Sequence, residues 1–149
     1  MIPMKISAKG RYGMAAMTYL AKNYDSGSPV TITTISEKMG ISKIYLEQVF
    51  ALLKRSNLVD SIKGSQGGYL LSRPPREISA YDILSVIELT LMENASPATG
   101  GKMPEIDSAI DSFIYRPMDE KLRELLASVS LEDILGAADK EAASIMFYI

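Results

Sequence analysis

Gly40 separates two amphipathic segments, and this arrangement constrains the fold more than any other feature of the sequence. The segment before it predicts a short helix over about residues 32–39, with Thr31 or Thr34 as its N-cap. Ser42 follows the glycine as the natural N-cap of the next helix. That helix has an inward-facing apolar stripe, formed by Leu46, Val49, Phe50 and Leu53. A helix, a glycine turn and a second capped helix predict a helix-turn-helix.

One further helix is expected before this pair, and a hairpin after it. Ser7 can cap the first helix, whose apolar residues recur at helical spacing. After Asn57, a candidate left-handed C-cap, two short strands are expected over residues 58–62 and 69–72. The glycine-rich segment 63–68 between them supplies the hairpin tip. The expected fold class is therefore mostly α with a small β-hairpin wing, a winged helix-turn-helix followed by a long C-terminal helix.

The sequence divides near its middle into two parts. Residues 1–78 form the predicted winged helix-turn-helix domain. Residues 79–149 hold a connecting helix, which Ser79 caps and which runs to about Leu91, and then a loop, a dimerisation helix and a C-terminal tail. The loop, at residues 93–104, has no periodic apolar pattern and is expected to be mobile.

The long helix is expected over about residues 105–128. Pro117 either kinks this helix or begins a second one, because a proline ring clashes with the carbonyl group four residues earlier. Ser130 then caps a last helix, which we expect to be short.

Charge is distributed unevenly between the two halves. The whole chain has a net charge of −2. Residues 1–76 carry eleven basic and four acidic side chains, a net charge of +7. Residues 77–149 carry five basic and fourteen acidic side chains, a net charge of −9. This asymmetry favours a front half that binds a polyanion.

The sequence contains no Cys and no His. The chain therefore lacks the thiolate and imidazole ligands of most zinc, haem and iron–sulfur sites, and it lacks a cysteine nucleophile or histidine base. No nucleophile elbow, phosphate-binding loop or dinucleotide fingerprint is present. We expect no enzymatic activity, no metal and no cofactor. The absence of a membrane-length apolar run and of an apolar signal core predicts a cytoplasmic protein.

The outward face of the third helix is polar and basic. It carries Lys43, Tyr45, Glu47, Gln48, Lys54 and Arg55. Gln can bind an adenine edge, Glu can accept from cytosine, and Lys can contact guanine or phosphate. Lys9 and Arg11, at the start of the first helix, are candidate phosphate ligands, and Lys63 at the base of the wing tip can enter a minor groove. The alternative is that all of these side chains are ordinary solvated surface groups.

The long C-terminal helix has an apolar stripe that the winged domain does not need for its own core. The stripe consists of Ile106, Ile110, Phe113, Ile114, Met118, Leu122 and Leu125. We expect a second copy of the chain to cover it, because dimers that bind palindromic half-sites are common among such regulators. The alternative is a helix folded back on its own domain.

The sequence ends on an apolar segment, residues 146–149. Two interpretations stay open for it. The segment packs on its own domain or dimer partner, or it is a short linear motif. In the second case Phe147, Tyr148 and Ile149, with the terminal carboxylate, bind another protein.

Three motifs in chain order resemble one family of regulators. They lie at residues 4–13, 41–48 and 63–71. They are similar to the winged-helix transcription regulators of the IscR, NsrR and CymR type. The resemblance implies a homodimer that binds palindromic promoter DNA, with the third helix in the major groove and the wing in the minor groove. By position it places four residues on the recognition helix, namely Ser42, Tyr45, Glu47 and Gln48.

The chain departs from this family at two places. Lys63 takes a wing position that is often Arg, and it lacks the planar fork of that side chain, which weakens the predicted wing contact. Residues 91–104 have none of the cysteines that ligate an iron–sulfur cluster in many members. Cluster sensing is therefore not implied here, and the chain is most similar to the cluster-free CymR branch, which it also resembles at residues 146–149.

The resemblance implies a repressor of cysteine and sulfur metabolism genes, controlled by association with cysteine synthase through the C-terminal tail, with Ile149 as the anchor. Two alternatives stay open. One is a regulator of another pathway with a small-molecule effector between the winged domain and the long helix. The other is an adaptor that has lost DNA binding and makes only protein contacts.

Overall fold

The structure is a computed structural model that describes residues 6–89 and 96–148. These residues form seven α-helices and one antiparallel hairpin, so the predicted fold class is confirmed. The elements are α1 (Ala8–Lys22), α2 (Ile32–Met39), α3 (Lys43–Arg55), β1 (Val59–Ile62), β2 (Gly68–Leu71), α4 (Ala80–Ile87), α5 (Pro104–Ile110), α6 (Arg116–Ala127) and α7 (Leu131–Tyr148). None of the helices in these two ranges is long and apolar enough to cross a membrane.

Local caps set the limits of the helix-turn-helix. Thr31 Oγ1 accepts a hydrogen bond from the amide three residues later at 3.0 Å, so Thr31 is the N-cap of α2. Gly40 ends α2 with φ of 67°, in the left-handed region that favours glycine. The hydroxyl of Ser36 donates to the carbonyl oxygen of Ile41 at 2.6 Å and holds the turn against α2. The predicted helix, turn and helix are confirmed.

The wing is anchored to the segment that precedes α2. Its strands pair antiparallel, with Ile62 opposite Gly68. The Val30 amide donates to the Tyr69 carbonyl at 3.0 Å, and the Tyr69 amide donates to the Val30 carbonyl at 2.8 Å. A Cβ at position 68 would lie 2.7 Å from the Val30 carbonyl carbon and oxygen, so glycine alone permits this close approach.

One hydrophobic core joins the helix-turn-helix, the wing, α4 and the start of α7. Phe50 of α3, Ile83 of α4 and Leu131 of α7 are all fully buried in it. The Leu131 amide also donates to the Ile78 carbonyl at 2.9 Å. The core therefore continues past residue 78, and a division of the chain at that point stays a prediction.

The predicted long helix consists of α5 and α6 joined by a π-helical turn over Asp111–Tyr115. The amide of Arg116 donates to the carbonyl oxygen of Asp111, five residues earlier. Pro117 lies in the first turn of α6. The wider turn accommodates a residue that has no amide and would clash with a carbonyl in an α-helix. Of the two predicted effects of Pro117, the structure has the second, because a new helix, α6, begins at Arg116.

The prediction of a short last helix is wrong, because α7 has 18 residues. Ser130 and Asp133 cap its start by exchanging hydrogen bonds of 3.0 and 3.1 Å. Residues 136–146 are exposed, so packing on the body does not explain the extra length. Alanine is the best helix former, and the alanines at 137, 138, 142 and 143 support the helix beyond the region of tertiary contact.

Candidate nucleic-acid interface

The outward face of α3 is largely polar and lies opposite a fully buried stripe. Lys43, Tyr45, Glu47 and Gln48 are all exposed on it. Ser42 is the N-cap residue of α3 and is exposed, but its hydroxyl makes no capping hydrogen bond in the described part of the chain. The first amides of α3 therefore lack a side-chain acceptor, and a helix start of this kind favours an anion such as phosphate.

The structure brings the start of α1 next to the start of α3. The rings of Tyr12 and Tyr45 pack edge to face, with centroids 5.8 Å apart and an interplanar angle of 70°. Arg11 precedes Tyr12 and is exposed, while Lys9 is half-buried in the same turn. Two candidate phosphate ligands thus lie in the turn of α1 before Tyr12, whose ring packs beside the N-terminal end of α3.

Lys63 is exposed and directly follows β1, where the wing tip begins. The tip turns through Gly64, which has φ of 105°, and reaches Gly68, which has φ of 146°. Since Val30 fixes β2 to the body, the base of the tip has a defined position relative to α2 and α3.

The basic candidates of the first half have no acidic partners among residues 6–89 and 96–148. In these ranges, each of the four ion pairs uses a carboxylate of the acidic second half. Arg73 with Asp82, at 3.2 Å, is the one pair that uses a cation of the first half. The cations at the start of α1, on α3 and on the wing therefore remain available to phosphate.

Sequence reasoning missed Glu88, which fixes the start of α1. α4 ends at Ile87 rather than near Leu91 as predicted, and Glu88 leaves the helix with ψ of 73°. The Glu88 side chain is buried, and its Oε1 atom accepts hydrogen bonds from the amide of Ser7, at 2.7 Å, and from the Ser7 hydroxyl. Ser7 in turn caps α1, its hydroxyl accepting from the Gly10 amide at 3.1 Å.

No local pattern reveals this contact, because 81 residues separate its two partners. Its effect is to hold the turn of α1 that carries Lys9 and Arg11. A Cβ at position 10 would lie 2.2 Å from Glu88 Oε1, so a glycine there makes room for the carboxyl group.

We expect Glu88→Ala to lower the free energy of unfolding by about 1 to 3 kcal/mol, because it removes the acceptor of two partly buried hydrogen bonds that Ser7 donates. Urea denaturation followed by circular dichroism measures the change. Glu88→Gln keeps an acceptor oxygen and is the matched control, with a smaller expected loss. Equal losses in the two variants would contradict the capping role.

The apolar stripe of the long helix is exposed in the chain. Phe113 is 84%, Met118 62% and Leu125 60% exposed. Ile106 and Ile114 are also exposed, whereas Ile110 and Leu122 are partly buried. A different side of α6 contacts the body, where the Arg123 guanidinium donates to the Tyr81 hydroxyl at 3.2 Å. The chain's own winged domain therefore does not cover the stripe.

The distal part of α7 is exposed as well. Ile145 is 58% and Met146 76% exposed, so these residues do not pack on the described part of the chain. Ile149 and the side chains of Phe147 and Tyr148 lie outside the described residues. The partner-binding interpretation of the tail stays a prediction.

The described part of the segment before α5 is held by hydrogen bonds to Asp107. The predicted mobile loop at 93–104 is described from residue 96 onward, where it forms a turn. The hydroxyl and amide of Thr99 donate to Asp107 at 2.6 and 3.0 Å, and the Gly101 amide donates at 3.3 Å. The hydrogen bonds from the hydroxyl and amide of Thr99 hold the pKa of Asp107 below its ordinary value. This carboxylate therefore stabilises the turn.

An iron–sulfur cluster requires soft ligands, chiefly cysteine thiolates and in some centres histidine. The sequence has neither Cys nor His. Within residues 6–89 and 96–148, no group of three or more acidic side chains is placed to hold a metal ion. The residues present do not fit such a cluster.

The fold and this surface define a winged-helix DNA-binding protein of the class that regulates transcription. The chain belongs to the Rrf2 family, described as "Iron-dependent Transcriptional regulator", whose sequence profile matches residues 6–137. This confirms the family predicted from the three motifs, and it makes the protein a transcriptional regulator and not an enzyme.

Named relatives agree with this assignment. The chain is 36% identical over 146 residues to the HTH-type transcriptional regulator CymR of Bacillus subtilis (strain 168), covering 98% of this chain and 100% of that one. It is 34% identical over 148 residues to the HTH-type transcriptional regulator IscR of Xenorhabdus nematophila, covering 93% and 87%.

Two solved structures have the same fold. The structure of CymR, the global cysteine regulator of B. subtilis, superposes with a TM-score of 0.74 at 31% identity, over 91% of this chain and 98% of that one. The structure of IscR from T. potens gives a TM-score of 0.73 at 35% identity, over 93% and 90%.

Proposed function

We propose that this protein is a homodimeric repressor that binds palindromic promoter DNA and works without an iron–sulfur cluster. The observation that carries the proposal is the exposed face of α3 with its neighbouring cations. These cations have no acidic partners in the described residues. In the same residues, the carboxylates of all four ion pairs belong to the acidic half. A surface that binds no ligand gives no reason for the basic and acidic side chains to be separated in this way.

In this proposal α3 lies in the major groove, where each base pair presents a distinct set of donors and acceptors. Glu47 and Gln48 contact base edges. Contacts to the backbone come from Ser42, Lys43 and Tyr45 at the start of α3 and from Lys9 and Arg11 on α1. Lys63 enters the adjacent minor groove from the wing.

Binding to DNA is expected to weaken steeply with salt, because neutralised phosphates release counterions. For a duplex selected from a random-sequence pool, the logarithm of the binding constant should fall linearly with the logarithm of salt concentration. Lys9→Ala should reduce the slope by about 1 for each protomer bound. Fluorescence anisotropy over a salt series measures this.

Lys140→Ala, which removes an exposed cation of α7, is the matched control and should leave the slope unchanged. Salt-independent binding, or failure to select any duplex from the pool, would rule out the regulator proposal and leave the adaptor alternative.

We further infer that the target genes serve cysteine and sulfur metabolism. Support comes from the similarity to CymR over nearly the whole of both chains, since the solved CymR is described as a global cysteine regulator. The lack of Cys and His supports a sensor that acts through a protein partner, which we propose to be cysteine synthase.

Deleting Tyr148 and Ile149 is expected to abolish association with cysteine synthase while DNA binding is retained. The physical reason is that an apolar anchor next to a carboxylate is a recognised capture mode, and α7 is exposed through Met146. A pull-down from native lysate, repeated with purified cysteine synthase, measures the association. A variant with both residues replaced by Ser keeps the length and should also fail to bind. An undiminished complex would refute the tail proposal.

A further inference from the structure

Ile44 lies at the centre of the outward face of α3. Successive residues of an α-helix are about 100° apart, so the positions of Leu46, Val49, Phe50 and Leu53 fix the direction of the core. Ile44 points almost directly away from that direction. Gln48 follows one turn later on the same face. Ile44 is 67% exposed, compared with 44% for Tyr45.

Packing and helix propensity do not explain an isoleucine at this position. A β-branched residue is a weaker helix former than lysine or glutamine, which would suit an exposed site better. The side chains one turn later on this face, Glu47 and Gln48, are exposed and polar. Single exposed apolar residues are common on proteins. Ile44 differs because it occupies the middle of the surface that faces the proposed ligand.

The major groove offers one apolar group to such a side chain, the C5-methyl group of thymine. Ile44 lies in the first turn of α3. Helix-turn-helix proteins contact base edges with residues near the start of this helix. We infer that Ile44 contacts a thymine methyl group in each half-site of the operator and selects thymine at that position. This inference rests on the proposed function, because it requires α3 to lie in the major groove.

The contact adds apolar selection to the hydrogen bonds of Gln48, which is suited to an adenine edge. Sequence reasoning passed over Ile44 because it considered only polar side chains on the outward face. The available signal was an apolar residue outside the helical stripe.

The test compares thymine with uracil, which differ only in this methyl group. A duplex is selected from a random-sequence pool with the full chain, and each thymine is then replaced by deoxyuridine in turn. We expect one position in each half-site at which the replacement weakens binding about fourfold, and a loss of about tenfold or more when both half-sites carry it.

Ile44→Ala should weaken binding to the thymine duplex and remove the difference between thymine and uracil at that position. Ile44→Val should retain part of the difference. Ile145→Ala is the matched control, since Ile145 is an isoleucine of α7 that is 58% exposed, and it should leave the thymine-to-uracil ratio unchanged. Circular dichroism should show that all three variants keep the helical content of the original chain.

The outcomes separate this inference from the proposed function. Steep salt-dependent binding that tolerates uracil at every position would overturn the role of Ile44 and leave the regulator proposal intact. A thymine preference that persists in Ile44→Ala would also overturn it, because another side chain would then contact the methyl group. Failure to select any duplex would overturn both.

Discussion

Replacing both Phe113 and Met118 with Asp is expected to convert the protein to a monomer and to weaken its binding to a two-half-site duplex by at least about 100-fold. Both side chains are mostly exposed in the chain, at 84% and 62%, so the protomer should still fold. In a dimer the two new carboxylates would lie in an apolar interface, and burying an unpaired charge is costly. A monomer contacts only one half-site at a time, so it loses the gain in affinity that comes from linking two binding events.

Sedimentation equilibrium measures the oligomeric state, and anisotropy measures affinity for duplexes with one and with two half-sites. The matched control is Ala127→Asp, which adds an acid on the opposite side of α6 and should leave both measurements unchanged. A monomeric original chain, or a dimer that survives both substitutions, would contradict the proposed interface.

Gly68→Ala is expected to lower the free energy of unfolding by about 3 to 4 kcal/mol. Two effects add at this position. The backbone φ of 146° is one that residues with a Cβ rarely adopt, and the new Cβ would lie 2.7 Å from the Val30 carbonyl group. The backbone on both sides is hydrogen-bonded and cannot move away without breaking the bridge between Val30 and Tyr69.

Gly64→Ala separates the two effects. Its φ of 105° is also unfavourable for alanine, but a Cβ there meets open space. We expect it to cost only about 1 to 2 kcal/mol. Urea unfolding at equal protein concentration measures both variants, since the stability of a dimer depends on concentration. A loss for Gly68→Ala no larger than that for Gly64→Ala would refute the importance of the close approach.

The helices and turns that local chemistry determines could be predicted from the sequence. Thr31, Gly40 and Ser79 act on backbone groups within a few residues, and so their caps and turn are visible in the sequence itself. Asn57 does adopt the left-handed conformation, with φ of 60°. Contacts between distant segments could not be predicted, because apolar periodicity reports only which side of an element is buried.

The candidate site shows the same division. The outward face of α3 could be identified because its apolar stripe marks the opposite side. The edge-to-face contact of Tyr12 with Tyr45 and the hydrogen bonds from Ser7 to Glu88 join residues that are far apart in the chain. These contacts position the candidate phosphate ligands of α1 relative to α3, and only the folded structure reveals them.

The burial of Leu131 among the side chains of the winged half has a consequence for how the protein can be dissected. Leu131 is fully buried, and the Ile78 carbonyl accepts from its amide. Removing the acidic half would expose the part of the hydrophobic core that Leu131 and Ile83 cover. The winged half and the start of α7 therefore share one core, and we expect a fragment that ends at residue 78 to be less stable than the same residues in the whole chain.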